Sequence, residues 1–160
     1  MKKIRKLQIQ VVLTVLVLCP CFAWAKITVT EKIFHLGTKG LPEWAEFSGK
    51  SPHGRNLSVS FESKANEKEA TLFLYQDDVK QGWRVSLNGK RLGNLERFES
   101  KVLHSLKVPA GTLKDGQNKL AVEAPTAVDD IFVGGAFIEL EPVDEVLSHS
   151  FLEVSAFDKK

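Results

Sequence analysis

Cysteine is nearly missing from this 160-residue chain, and its two copies, Cys19 and Cys21, both fall within the first 25 residues. Beyond them no thiol is available for a disulfide framework, a cysteine-ligated zinc or a cysteine nucleophile. Acids are missing from the same opening stretch, which carries Lys2, Lys3, Arg5 and Lys6. Taking those four from the 22 basic residues leaves 18 against 20 acids in the remainder, so the formal net charge there is about −2. Such a balance argues against a nucleic-acid binder, which needs a basic stripe to displace counterions from phosphate. Helical periodicity is also lacking, because no stretch sustains the 3.6-residue apolar spacing over ten or more residues. Hydrophobic content of 43% and charged content of 26% describe an ordinary globular domain, large enough to bury a core without metal or disulfide staples.

The first 25 residues read as an export signal. A basic start precedes the apolar run Val11 to Cys19, broken only by Thr14, then Pro20, then Ala23-Trp24-Ala25. The small-x-small ending places cleavage after Ala25. The apolar run is far below the roughly 20 residues that span a bilayer, and Pro20 ends any helix early, so no stable membrane insertion is expected after cleavage. A lipid-anchored cysteine needs a small residue before it, whereas Leu18 and Pro20 precede the two cysteines. The expected location is secreted or periplasmic. Asn56-Leu57-Ser58 is a glycosylation sequon, meaningful only on a eukaryotic secretory route.

Period-two alternation recurs through the rest. Leu57, Val59 and Phe61 alternate with serines and Glu62, and after the polar loop Ser63 to Glu69 the run Ala70 to Gln76 follows. There Leu72 and Leu74 take one face and Phe73 and Tyr75 the other, which predicts a central strand covered on both sides. Trp83, Val85 and Leu87 alternate up to Asn88-Gly89, the preferred pair for a tight hairpin turn, so a hairpin is predicted near residues 83 to 95. Further strands are predicted at Val102 to Val108, Lys119 to Ala124 and Ile131 to Glu141, with Asp115-Gly116 as a tight corner and Gly134-Gly135 as a bulge or close backbone approach. Ile27 to Leu36 reads as one or two strands, and Gly37 to Gly54 as a long loop carrying Trp44 and Phe47. Short strands separated by turns predict an all-β fold, an antiparallel β-sandwich of two layers. The organisation expected is a signal peptide over 1–25, a sandwich domain over 26–142, and a polar connector from Val143 to Ser150 ahead of the alternating run Phe151 to Phe157. That last run is either the first strand of a following domain or a last strand of the same sandwich.

Motifs for chemistry are scarce. Gly49-Lys50-Ser51 resembles the end of a phosphate-binding loop, but Trp44 stands where that loop needs glycine and Pro52 where it needs a helix. The histidines His35, His53, His104 and His149 have no metal-ligand spacing, and no Gly-x-Ser-x-Gly turn presents a nucleophile. His104, on the phase of Val102 and Leu106, reads as a satisfied or rim histidine. Asp77-Asp78 and Asp129-Asp130 read as solvated turn acids; neither pair alone makes the facing carboxylates of a glycosidase, and the calcium-loop pattern is absent. Aromatics are the remaining lead, because a sugar's C–H face stacks on an indole or phenol while nearby polar groups reach its hydroxyls. Trp83 belongs to the core phase. Trp44, in a loop with Glu43, Glu46 and Phe47, either plugs the end of the sandwich or faces a ligand, and Tyr75, just before Asp77-Asp78, is either core or platform.

The run Gly82-Trp-Arg-Val-Ser-Leu-Asn-Gly-Lys-Arg-Leu-Gly93, followed by Val108-Pro-Ala-Gly-Thr-Leu-Lys-Asp-Gly-Gln-Asn-Lys-Leu-Ala-Val122, resembles jelly-roll domains of the galactose-binding-like superfamily, in particular the sugar-binding accessory domain of family 2 glycoside hydrolases. The resemblance spans residues 57 to 141. Its best-matched positions, Asn88, Gly89, Gly116, Asn118 and Leu120, specify a backbone rather than a ligand. It implies a secreted jelly roll that binds carbohydrate or packs against a catalytic domain, with no ligand residue carried over. The expectation is therefore a non-enzymatic, carbohydrate-binding-like module with Trp44, Tyr75, Asp77 and Asp78 as candidate ligand residues, no cofactor and no metal. Its expected partner is a glycan or a neighbouring catalytic domain. The alternative is a structural domain that positions a downstream hydrolase region and has no ligand of its own.

Overall fold

The computed structural model describes residues 26–41, 51–127 and 129–148. Eight strands follow in chain order: β1 (Lys26–Leu36), β2 (Leu57–Ser63), β3 (Ala70–Asp77), β4 (Arg84–Leu87), β5 (Lys90–Asn94), β6 (Val102–Val108), β7 (Gly116–Glu123) and β8 (Ile131–Glu139). Every pairing is antiparallel, and the strands form two four-stranded sheets of order β1-β8-β3-β6 and β2-β7-β4-β5. The expected all-β sandwich is thus observed.

Each sheet turns one face inward because its side chains alternate. Leu72 and Leu74 of β3, and Ile131, Val133 and Ile138 of β8, meet Val85, Leu87, Leu120 and Val122 of the other sheet in one buried cluster. β3 is central, as predicted, and on its outer face Phe73 stacks on Phe137 of β8, with ring centroids 5.1 Å apart. The predicted hairpin is present: Asn88 and Gly89 have φ of 52° and 80°, the two positive values that a two-residue hairpin turn demands. Gly134 faces a register shift in the β3 pairing, and a Cβ there would overlap the Lys32 carbonyl oxygen, so glycine permits the close approach of β1.

Several strand boundaries and one element differ from expectation. β7 begins three residues earlier, at Gly116, and β8 ends at Glu139 rather than Glu141. Residues 143–148, expected as a polar connector, form a short helix, α1, whose Glu145 and Val146 amides donate to the Pro142 carbonyl. The export signal, Trp44, Phe47, Lys50 and the run Phe151 to Phe157 lie outside the described residues.

The ends of the sandwich differ in kind. At one end, three asparagines satisfy the turns. The buried Asn66 side chain donates to the carbonyls of Lys68 and Pro109 and accepts from the Leu113 amide. Asn88 donates to the Thr112 carbonyl and to Asn118, while Asn118, 1% exposed, donates to Ser63 Oγ, Lys114 O and Gly116 O. This end is a structural clamp. At the other end the segments 37–41, 51–56, 78–83, 95–101, 124–127 and 129–130 converge.

Candidate functional site

The converging end owes its shape to buried polar groups that hold loop backbone. Asp129 Oδ2 accepts three N–H groups from the β3–β4 connection: Trp83 Nε1 at 2.7 Å, the Gln81 amide at 3.0 Å and the Lys80 amide at 3.3 Å. Trp83 is itself buried, so its indole fills the core and its N–H meets the carboxylate, the usual need of a buried tryptophan. Asp130 stands 3.5 Å from His35 Nε2 and packs against Gly37, where any Cβ would overlap the carboxylate. Asp129 and Asp130 are 2% and 1% exposed, which corrects their reading as solvated turn acids. The Asp129 carboxylate serves as a fixed acceptor because the backbone turns around it.

A second device fixes the β5–β6 connection. Gln76, at the inward end of β3 and fully buried, donates from Nε2 to the Glu96 carbonyl at 2.7 Å and accepts the Glu96 amide at Oε1 at 3.0 Å. The Leu95 amide donates to the Trp83 carbonyl, and the Val79 amide donates to the Phe98 carbonyl. Residues 95–98 are therefore pinned to both neighbouring segments.

The histidines divide into two situations. His53 Nδ1 accepts the His35 amide at 3.1 Å, while the His53 amide donates to the His35 carbonyl, so this pair seals the 51–54 segment to the end of β1. His104 Nε2 lies 3.2 Å from the Asn94 carbonyl, a satisfied rim position as expected. Among the described residues, no group of three or more His, Cys, Asp or Glu is arranged to hold a metal ion. No helix among them is long and apolar enough to cross a membrane.

Three of the four sequence-derived candidates are described. Tyr75 is half-buried on the outer face of β3, opposite Leu103 and Gly134, and its hydroxyl donates to Asp77 Oδ2 at 3.3 Å. Burial first, then the adjacent Asp77 charge and hydrogen bond, push the Tyr75 phenol above its ordinary value. Asp78 has φ of 59°, and its carboxylate turns to Lys80 Nζ at 2.7 Å. The chain therefore splits the acidic pair, sending Asp77 to Tyr75 and Asp78 to Lys80.

Lys80 also lines a groove of about 440 Å³ together with Val79, Arg97, Phe98, Glu99 and Ser100. Phe98 is 51% exposed there. The sequence reading missed this groove. The signal that singled out Trp44, an aromatic among charged residues in a loop, is equally present in Glu96-Arg97-Phe98-Glu99.

No family model matches the chain, and no curated protein matches it.

Proposed function

We propose that the protein is a non-catalytic, carbohydrate-binding-like module exported from the cytoplasm, with a jelly-roll sandwich as its frame. The strand order β1-β8-β3-β6 over β2-β7-β4-β5, eight strands wound into two sheets, supports the jelly-roll reading. The resemblance of residues 57 to 141 to galactose-binding-like domains supports carbohydrate as ligand class. The basic, apolar and small-residue order of residues 1–25 supports a secreted or periplasmic location.

The single observation that carries the binding role is the asymmetry of the two ends. One end is closed by buried asparagines, whereas the other carries an exposed aromatic and several charged groups on loops held by buried Asp129 and Gln76, with the Tyr75 phenol near the end of β3. Rigid display of polar and aromatic groups suits recognition, because little order is lost on binding. Tyr75, Asp77, Asp78 and Trp44 are the ligand residues of this reading. Glycan-array binding of the intact protein tests it: retention of at least one glycan class, weakened by Trp44→Ala or Tyr75→Ala, is expected. Binding unchanged in both variants would remove these two platforms, and an array without retained glycans would remove the ligand class.

A second reading, a structural domain that positions a downstream region, draws on Leu140 and Leu147, apolar side chains exposed beside and within α1. Reading the gene beyond Lys160 tests it, with an open frame into a hydrolase expected and a stop codon counting against it.

A further inference from the structure

We infer that the groove between the β3–β4 and β5–β6 connections is a sugar subsite, in which Phe98 is the stacking platform, Arg97 and Glu99 read hydroxyls, and the ligand is an uncharged hexopyranosyl unit. This rests on the carbohydrate reading above and adds to it a place and a ligand class.

The backbone of Phe98 is held far more firmly than an exposed loop residue requires. Its carbonyl accepts the amide of fully buried Val79 at 3.0 Å, in an isolated antiparallel bridge. Two residues earlier, Glu96 is gripped through both backbone groups by the Gln76 amide, and Leu95, just before it, is buried. A buried glutamine is an expensive way to hold a turn unless both of its polar ends are satisfied, as they are here. The result is a phenyl ring, half in water, on backbone hydrogen-bonded at residues 95, 96 and 98. A ring so placed offers a flat apolar face at small entropic cost, which is what the C–H face of a pyranose meets in stacking.

Charge then selects the ligand. Lys80 is tied to Asp78 at 2.7 Å, so its charge is compensated inside the groove wall. Arg97 and Glu99 remain, one of each sign, and neither pairs with another described residue. The Arg97 guanidinium lies beside Gly82, with Nη2 at van der Waals distance, 3.8 Å, from where a Cβ would stand. A planar donor fork beside a carboxylate acceptor matches neighbouring hydroxyls, each of which both donates and accepts. With one charge of each sign left over, the groove carries no net charge, so an anionic sugar gains no net attraction there over a neutral one. The groove volume of about 440 Å³ lies inside the range of small-molecule sites, about 300–1,000 Å³, although it is an open cleft suited to one or two rings.

The test is amide chemical-shift mapping on the intact, isotopically labelled protein, titrated with the methyl glycosides of glucose, galactose and mannose and with the matched uronosides. Expected is saturable movement of the amides of Lys80, Arg97, Phe98, Glu99 and Ser100 with at least one neutral glycoside, and no tighter binding of its uronoside. Phe98→Leu should weaken that binding about tenfold, the equivalent of one aromatic contact, with amide dispersion unchanged, while Phe98→Tyr keeps it. Saturable binding that moves only residues 75 to 78 and is untouched by Phe98→Leu would overturn the groove while leaving the carbohydrate reading standing. Tighter binding of a uronoside would overturn the ligand class, and a panel that moves no amide would overturn the subsite outright.

Discussion

Replacing Asp129 by alanine should loosen the loop end and lower the stability of the whole sandwich by about 3 kcal/mol. One carboxylate oxygen takes three N–H groups, and hydrogen bonds to a charged acceptor are worth about 1.5–3 kcal/mol each when buried. The indole bond counts in full, because Trp83 is 1% exposed and its N–H would be left without its acceptor. The Gln81 and Lys80 amides are only part-buried and can turn to water, so they count at the low end. Release of a buried carboxylate from its desolvation cost offsets part of the sum. Urea unfolding followed by far-ultraviolet circular dichroism reads the effect: at a slope of about 1–3 kcal/mol per M, the midpoint should fall by about 1–3 M. In a double-mutant cycle with Trp83→Phe, the coupling should be about 2 kcal/mol, since the two residues share one bond. A variant within about 0.5 kcal/mol of the natural chain, or a coupling near zero, would refute the view that this carboxylate holds the loop.

Other consequences are equally direct. Tyr75 is the only tyrosine, so phenolate absorbance reports it alone; it should ionise above its ordinary pH near 10, and Asp77→Asn should bring the transition part of the way down, burial retaining the rest. The Glu139 carboxyl is raised chiefly by burial, with the Lys26 charge lowering it and the Glu141 charge raising it. A raised acid contributes its stability at low pH and loses that contribution as pH rises through its folded value, so Glu139→Gln should melt above the natural chain at pH 7 and level with it below about pH 4. Asn118→Ala removes a fully buried amide that serves Asn88, Lys114, Ser63 and Gly116, and should lower stability by about 2–4 kcal/mol in the same urea assay without altering glycan retention on the array.

What the sequence discloses here follows the range over which each interaction acts. The β4–β5 hairpin is legible because Asn88-Gly89 meets its own backbone requirement locally, and β3 is legible because two apolar phases are written into Leu72-Phe73-Leu74-Tyr75. Helix α1 spans six residues, 143–148, too few for a 3.6-residue period to register against polar composition. The burial of Asp129 is invisible locally, because its indole partner lies 46 positions away and two of its three donors are backbone amides that composition does not mark. Phe98 stands between the two cases. Its aromatic-among-charges setting is readable, whereas the rigidity that makes it useful comes from Gln76 across the sheets, a tertiary relation.

Whether this end of the sandwich makes contact without breaking bonds is most directly tested on a glycan retained by the array. Calorimetry of that glycan with the intact protein, followed by mass spectrometry of the recovered sugar, should give saturable heat and an unaltered oligosaccharide. Shortened or deacylated sugar after incubation, or no saturable heat at all, would contradict a role confined to recognition.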